Sequence, residues 1–252
     1  MAEKLTGFLK LVVPKVPLIA STTFNHYARG PPKPSWSYRL SLTVAVLRSF
    51  VSQLNDVPVR ESQVLSKVPS EKAPVDPRAV ASEVFISKAY RDKAAGHIDR
   101  LLTLQGFDAI KLGWDWKNDP MADEPLLAEW TEPRTKDNKY KEGRTVLYLH
   151  GGGYILGSIT THRWATSSVA LLAGAKVLSV EYRLAPDSPF PAAVVDAVAA
   201  YLFLLNPPAD SGATPVIARD VVIMGDSAGG GKLLDHPGGA KSCCERCARH
   251  EC

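Results

Sequence analysis

The chain has 252 residues, of which 45% are hydrophobic and 22% charged, and a formal net charge of +4. That is the composition of an ordinary globular protein, long enough for one large α/β domain or two smaller ones. The positive excess is small and no Lys/Arg run is long enough to form a nucleic-acid patch, so no nucleic-acid partner is expected. All four cysteines (Cys243, Cys244, Cys247 and Cys252) fall in the last ten residues, which excludes a disulfide framework for the main body and removes any need for an oxidising compartment. The expected location is the cytoplasm.

The first apolar stretch, Gly7 to Ala20, is broken by Lys10, Pro14, Lys15 and Pro17. It does not read as a signal peptide, and it is too short and interrupted to span a bilayer. Two uses fit it: a peripheral contact with a membrane or lipid surface, or packing over a hydrophobic pocket. Packing is favoured because short apolar segments are usually buried. Gly30 to Pro34 is a stiff, extended break. The spacing of Leu40, Val44, Leu47, Val51 and Leu54 predicts an amphipathic helix over Ser37 to Leu54. Pro58 to Arg78 reads as a loop or linker, and Ala89 to Gln105 as a second helix. Residues 1–105 thus form an N-terminal helical cap region.

From residue 107 short strand-like runs take over: Phe107 to Trp116, Leu126 to Thr131 and Thr145 to Leu149. A helix around Thr161 to Ala173 leads to an apolar strand, Lys176 to Tyr182. A helix from Pro191 to Leu205 follows, with proline in its first turn, and then a buried strand, Val221 to Met224. Strand, helix, strand, helix, strand is the signature of an α/β fold: a mostly parallel sheet with helices on both faces, its strands apolar on both sides. The core is placed at residues 106–231.

Two glycine motifs sit at the carboxyl ends of these strands, where sites in parallel sheets are found. Gly225-Asp226-Ser227-Ala228-Gly229 fits a serine on a sharp strand-to-helix turn, which pushes the hydroxyl out of the sheet and sets the next N–H beside it. His150-Gly151-Gly152-Gly153 lets the backbone approach a reacting carbonyl and aim N–H groups at the oxygen that becomes negative. It is not a phosphate loop, since no Lys-Ser/Thr pair follows Gly153.

These blocks, together with Glu181-Tyr182-Arg183-Leu184-Ala185-Pro186 and Pro189-Phe190-Pro191-Ala192-Ala193, resemble the hormone-sensitive-lipase-like branch of the α/β hydrolases over residues 140 to 230. The resemblance implies a carboxylic-ester hydrolase acting on small-molecule esters without a cofactor. Ser227 would be the nucleophile, and the N–H groups of Gly151, Gly152 and Ala228 the oxyanion hole. His150 would shape the glycine loop. Asp226 would support the elbow, with Gly153, Gly225 and Gly229 giving the turns their shape. Tyr182 and Arg183 would stabilise the turn after their strand.

In that family the triad runs Ser, acid, His along the chain. Only 25 residues follow Ser227, and among them Asp235, His236, Glu245, His250 and Glu251 follow no further strand. No triad acid or histidine is assigned. Pro237, Gly238 and Gly239 cut short any helix after the elbow. Residues 232–252 are therefore expected to be a disordered tail outside the family, and the hydrolase fold to be incomplete and nearly inactive. Alternatives are a non-catalytic ligand-binding protein of the same scaffold and a non-functional truncated product. Cys244-x-x-Cys247 lacks the second well-spaced pair of a structural zinc site, so no metal is expected.

Overall fold

The computed structural model describes residues 16–54, 58–66, 73, 75–134, 144–211 and 213–231. The chain divides into two compact units, residues 1–62 and 63–252.

In the first unit, α1 (Val16–Ala28) and α2 (Tyr38–Leu54) pack against each other. Two side-chain bonds join them: Thr23 Oγ1 to the Tyr38 hydroxyl at 2.8 Å, and His26 Nδ1 to Ser41 Oγ at 3.0 Å. Gly30, at φ +91°, turns the chain between them. A further helix, α3 (Val59–Ser66), occupies the segment expected to be a loop. Pro58 stands just before it and Glu61 lies in its first turn, where a carboxylate favours the positive end of the helix dipole.

The second unit is built on a five-stranded sheet. Its strands are β1 (Ala79–Ile86), β2 (Leu126–Pro133), β3 (Thr145–Leu149), β4 (Lys176–Val180) and β5 (Val221–Gly225), in the order β1-β2-β4-β3-β5. β1, β2 and β4 pair antiparallel in turn, whereas β4, β3 and β5 run parallel. The helices are α4 (Lys88–Leu104), α5 (Ala109–Leu112), α6 (Ile159–Ala173), α7 (Ala192–Leu205) and α8 (Ala228–Gly231). Leu147, Leu149, Leu178 and Val180 face the core shared with α4 and α7, while Val146, Tyr148 and Val177 pack with Ala170 of α6 on the opposite face. Helices cover both faces, as the apolar runs of β3 and β4 require.

Three expectations need correction. Phe107 to Trp116 is not a strand: it folds as α5 between Gly106 (φ +73°) and Gly113 (φ +77°), and the Asp108 carboxylate accepts the Lys111 N–H at 2.9 Å. A local cap and two left-handed glycines prevail over the apolar pattern. Ala79–Ile86, passed over in the sequence, is a full strand paired along its length with β2. As an edge strand it leaves Phe85 and Val80 exposed, which blurs its pattern. The third correction concerns β5, which is not buried on both faces. Val221 and Ile223 meet the α7 core, but Val222 and Met224, 53% and 44% exposed, are uncovered on the other face.

The core also encloses charges. Asp196, fully buried in the apolar helix α7, accepts from Arg91 Nε at 2.7 Å and from the Arg183 N–H at 2.8 Å and Nη2 at 2.9 Å. Arg183 Nη1 reaches Asp119 at 2.8 Å. Across the sheet, Arg163 of α6 forks onto Glu129 of β2, both Nε contacts at 3.0 Å. Breaking such a pair strands an uncompensated buried charge, typically costing about 3–5 kcal/mol. Asp196→Ala is therefore expected to lower the unfolding free energy by roughly that amount. A denaturant titration beside an exposed control, Asp92→Ala, measures it; equal midpoints would refute the role. Among the described residues the outer edge of β5 has no partner strand, and its uncovered side chains make it a template for self-pairing. Val222→Lys is expected to raise the soluble fraction, read by sedimentation of freshly expressed protein.

Candidate active site

β3 and β5 are parallel neighbours in register, Leu149 opposite Gly225, so their carboxyl ends open at one edge of the sheet. His150 to Gly153 leaves β3 there, and Asp226-Ser227 leaves β5. Ser227 sits at φ +48°, a left-handed conformation that a non-glycine residue holds only at a cost of about 1–3 kcal/mol. The turn is tight because a Cβ on Gly225 would strike the Leu149 carbonyl and lie 2.7 Å from the Gly229 carbonyl carbon. A Cβ on Gly229 would strike the same Leu149 oxygen and lie 2.6 Å from that of His150. Only glycine at both positions allows the elbow to press against β3. Ser227 is exposed, and its hydroxyl has no hydrogen-bond partner among the described residues.

Asp226 points away from Ser227's task and ties the two loops together. Its Oδ1 accepts from the Gly151 N–H at 2.9 Å and the Tyr148 hydroxyl at 2.9 Å, and lies 3.4 Å from His162 Nε2. Desolvation acts to raise its pKa, but the Tyr148 bond, the His162 charge and the Gly151 N–H outweigh it and hold the carboxyl below its usual range. The Gly151 N–H is engaged by the Asp226 carboxylate. The N–H groups of Gly152 and Ala228 carry no such bond among the described residues. Gly152, at φ +127°, turns the loop sharply, and its carbonyl accepts from Ile155 N at 3.1 Å and Leu156 N at 2.9 Å. Gly153 and Tyr154 continue the turn at φ +65° and +62°. Gln63 braces its far side, donating from Nε2 to the carbonyls of Ile155 and Ala185, each at 2.9 Å.

His150 is buried and stacked on Tyr182, ring centroids 4.1 Å apart and planes 12° apart. Its Nδ1 lies 2.8 Å from the Gly151 carbonyl, an acceptor only, so the proton is assigned to Nδ1. Burial lowers its pKa to about 4, which makes it a neutral and weakly basic ring near neutral pH. The Tyr182 hydroxyl donates to the His150 carbonyl at 2.5 Å, and the Tyr154 hydroxyl to that of Ala228 at 2.6 Å. Desolvation pushes both hydroxyls upward, as it does Tyr148, so all three stay protonated and serve as donors.

Sequence reading missed His162, Tyr148 and Tyr154. The one available signal for His162 was its place in the first turn of the helix leaving the glycine loop. An apolar cavity lined by Leu149, Tyr154, Tyr182, Ala193, Val194 and Gly229 measures about 10 Å³, room for one water at most. Among the described residues no group of three His, Cys, Asp or Glu side chains is placed to hold a metal. Cys243, Cys244, Cys247 and Cys252 lie outside the described residues, as do Asp235, His236, Glu245, His250 and Glu251.

Residues 146–234 match the family model of the α/β-hydrolase fold. Over 104 residues the chain is 51% identical to an acetyl-hydrolase of Streptomyces hygroscopicus, covering 41% of this chain and 31% of the relative. It is 38% identical over 112 residues to carboxylesterase NlhH of Mycobacterium tuberculosis, covering 44% and 33%. With an ethyl acetate hydrolase of Pseudomonas putida it shares 39% identity over 95 residues, covering 38% and 29%. Among solved structures, esterase EstE5 soaked with p-nitrophenyl butyrate superposes with a TM-score of 0.46 at 30% identity, covering 71% of this chain and 44% of that one. The chain spans about a third of the length of these curated relatives. Over residues 146–234, which hold the glycine loop and the serine elbow, the chain is similar to the α/β-hydrolase fold family, and its relatives there are named as ester hydrolases.

Proposed function

We propose that the chain carries the nucleophile and the oxyanion-binding backbone of a carboxylic-ester hydrolase. The observation that carries this reading is Ser227 at φ +48°, held there by two glycines that admit no side chain. A strained, exposed serine at a strand end has a catalytic use and no packing use. Ser227 Oγ attacks the acyl carbonyl. As the carbonyl oxygen gains charge, the N–H groups of Gly152 and Ala228 hold it. Asp226 keeps the Gly151 N–H and so fixes the loop that presents Gly152. The relatives are named for acetyl and ethyl acetate hydrolysis, which favours esters of short acyl chains as substrates.

An alcohol must lose its proton during attack, and it is a weak nucleophile without a base. Among the described residues neither candidate histidine serves. His150 commits Nδ1 to the Gly151 carbonyl and is weakly basic, and His162 is turned to Asp226. A site holding its oxyanion donors but no base retains roughly 10³- to 10⁴-fold catalysis over water. The 252-residue chain is accordingly expected to hydrolyse p-nitrophenyl acetate slowly and without a stoichiometric burst, and because the residual rate then comes from the oxyanion donors, Ser227→Ala is expected to change it little. Stopped-flow release of p-nitrophenol measures both. No hydrolysis above the buffer rate would refute the hydrolase reading. A burst equal to the enzyme concentration would show that a base outside the described residues activates Ser227.

A further inference from the structure

The chain's positive charge is not spread evenly. Between residues 4 and 55 there are seven Lys/Arg residues and no Asp or Glu, and the other 200 residues hold 23 basic against 26 acidic ones. The whole positive excess therefore resides in the N-terminal segment, an asymmetry that favours an anionic surface as partner.

The first unit adds an apolar feature to that charge. Along α1 the residues Val16, Ala20, Phe24 and Tyr27 follow one another at steps of four, four and three, and all four are exposed. Phe24 is 62% and Tyr27 71% exposed. These steps place them on one stripe of the helix surface. Arg29 and Lys33, which follow Tyr27 in the chain, are exposed between the two helices, whereas Arg39 and Arg48, about two and a half turns apart, are exposed on opposite faces of α2. Uncovered aromatic and aliphatic side chains interleaved with cations, and no acid among them, match a helix lying in a membrane interface. The apolar stripe sets this apart from a nucleic-acid surface, which needs cations without it. No described helix is long and apolar enough to cross a bilayer, so the contact would lie along the surface.

We propose that residues 16–54 form a docking surface for an anionic lipid bilayer. Phe24 and Tyr27 enter the interface while Arg29 and Lys33 meet lipid headgroups. The proposal concerns this unit alone and stands whether or not Ser227 is catalytic.

The test is co-sedimentation of the full chain with vesicles of phosphatidylcholine, alone or mixed with phosphatidylglycerol. Binding to the mixed vesicles is expected, weakened by salt and nearly absent from the neutral ones. Arg29→Gln with Lys33→Gln is expected to lower the partition coefficient about fivefold per cation removed. Phe24→Ser should lower it further, with the helical circular dichroism retained. As a measurement independent of those losses, Phe24→Trp should show emission quenched by brominated lipid only in anionic vesicles. Equal binding to neutral vesicles, or indifference to the charge variants, would overturn the proposal. So would a concentration-dependent dimer that Phe24→Ser dissociates in a chain that binds no vesicles, because a second copy would then cover the stripe.

Discussion

One carboxylate makes a site out of two loops. β3 and β5 are neighbours, but sheet pairing ends at Leu149 and Gly225, and beyond that point the glycine loop and the elbow are free to diverge. Asp226 prevents this by accepting the Gly151 N–H and the Tyr148 hydroxyl while facing His162 from α6. Three elements (β3, its following loop and α6) are thereby fixed to the residue next to Ser227. Bonds to a charged acceptor are shorter and stronger than neutral ones. The same bonds keep the carboxyl ionised against its own desolvation. A proton on Asp226 would weaken all three contacts together, so the loop's geometry depends on a group that never touches an acyl carbonyl.

A ring of aromatic residues completes the arrangement from below. Tyr182 stacks on His150 and donates to its carbonyl, while Tyr154 donates to that of Ala228. Each hydroxyl ends on a backbone oxygen of a motif residue, so the turns are held by groups whose pKa values lie far above neutrality. Deeper in the unit, Asp196 performs a related task for the 183–196 segment, where two guanidiniums converge on one carboxylate inside an apolar helix. Such networks are costly to bury and costlier to break, which makes them specifiers of one packing more than sources of net stability.

The elbow and the parallel strands were legible because their constraints are local. A glycine that must press against a strand, and a strand buried on both faces, leave their mark in consecutive residues. What stayed hidden is non-local. Nothing in the sequence connects Asp226 to a backbone N–H 75 residues away. The apolar run Val221 to Met224 could not tell which of its faces would be covered, and half of it is not. Phe107 to Trp116 has strand-like composition, but the carboxylate of Asp108 and glycines at both ends decide the backbone there.

The geometry that positions Ser227 and the activation a nucleophile there would need are separable in this molecule. Strain at Ser227, the glycine contacts and the Asp226 tie are all made within residues 148 to 230, and none of them needs a proton acceptor. A turn so determined would hold the serine poised whether or not a base faces it. Proton removal, by contrast, needs a ring nitrogen with a free lone pair and ordinary basicity at hydrogen-bond distance from Oγ. Burial takes basicity from His150, and Asp226 orients His162 toward itself. The histidines that shape this site are thus occupied by the work of shaping it, and a catalytic base would have to come from a residue with no part in that framework.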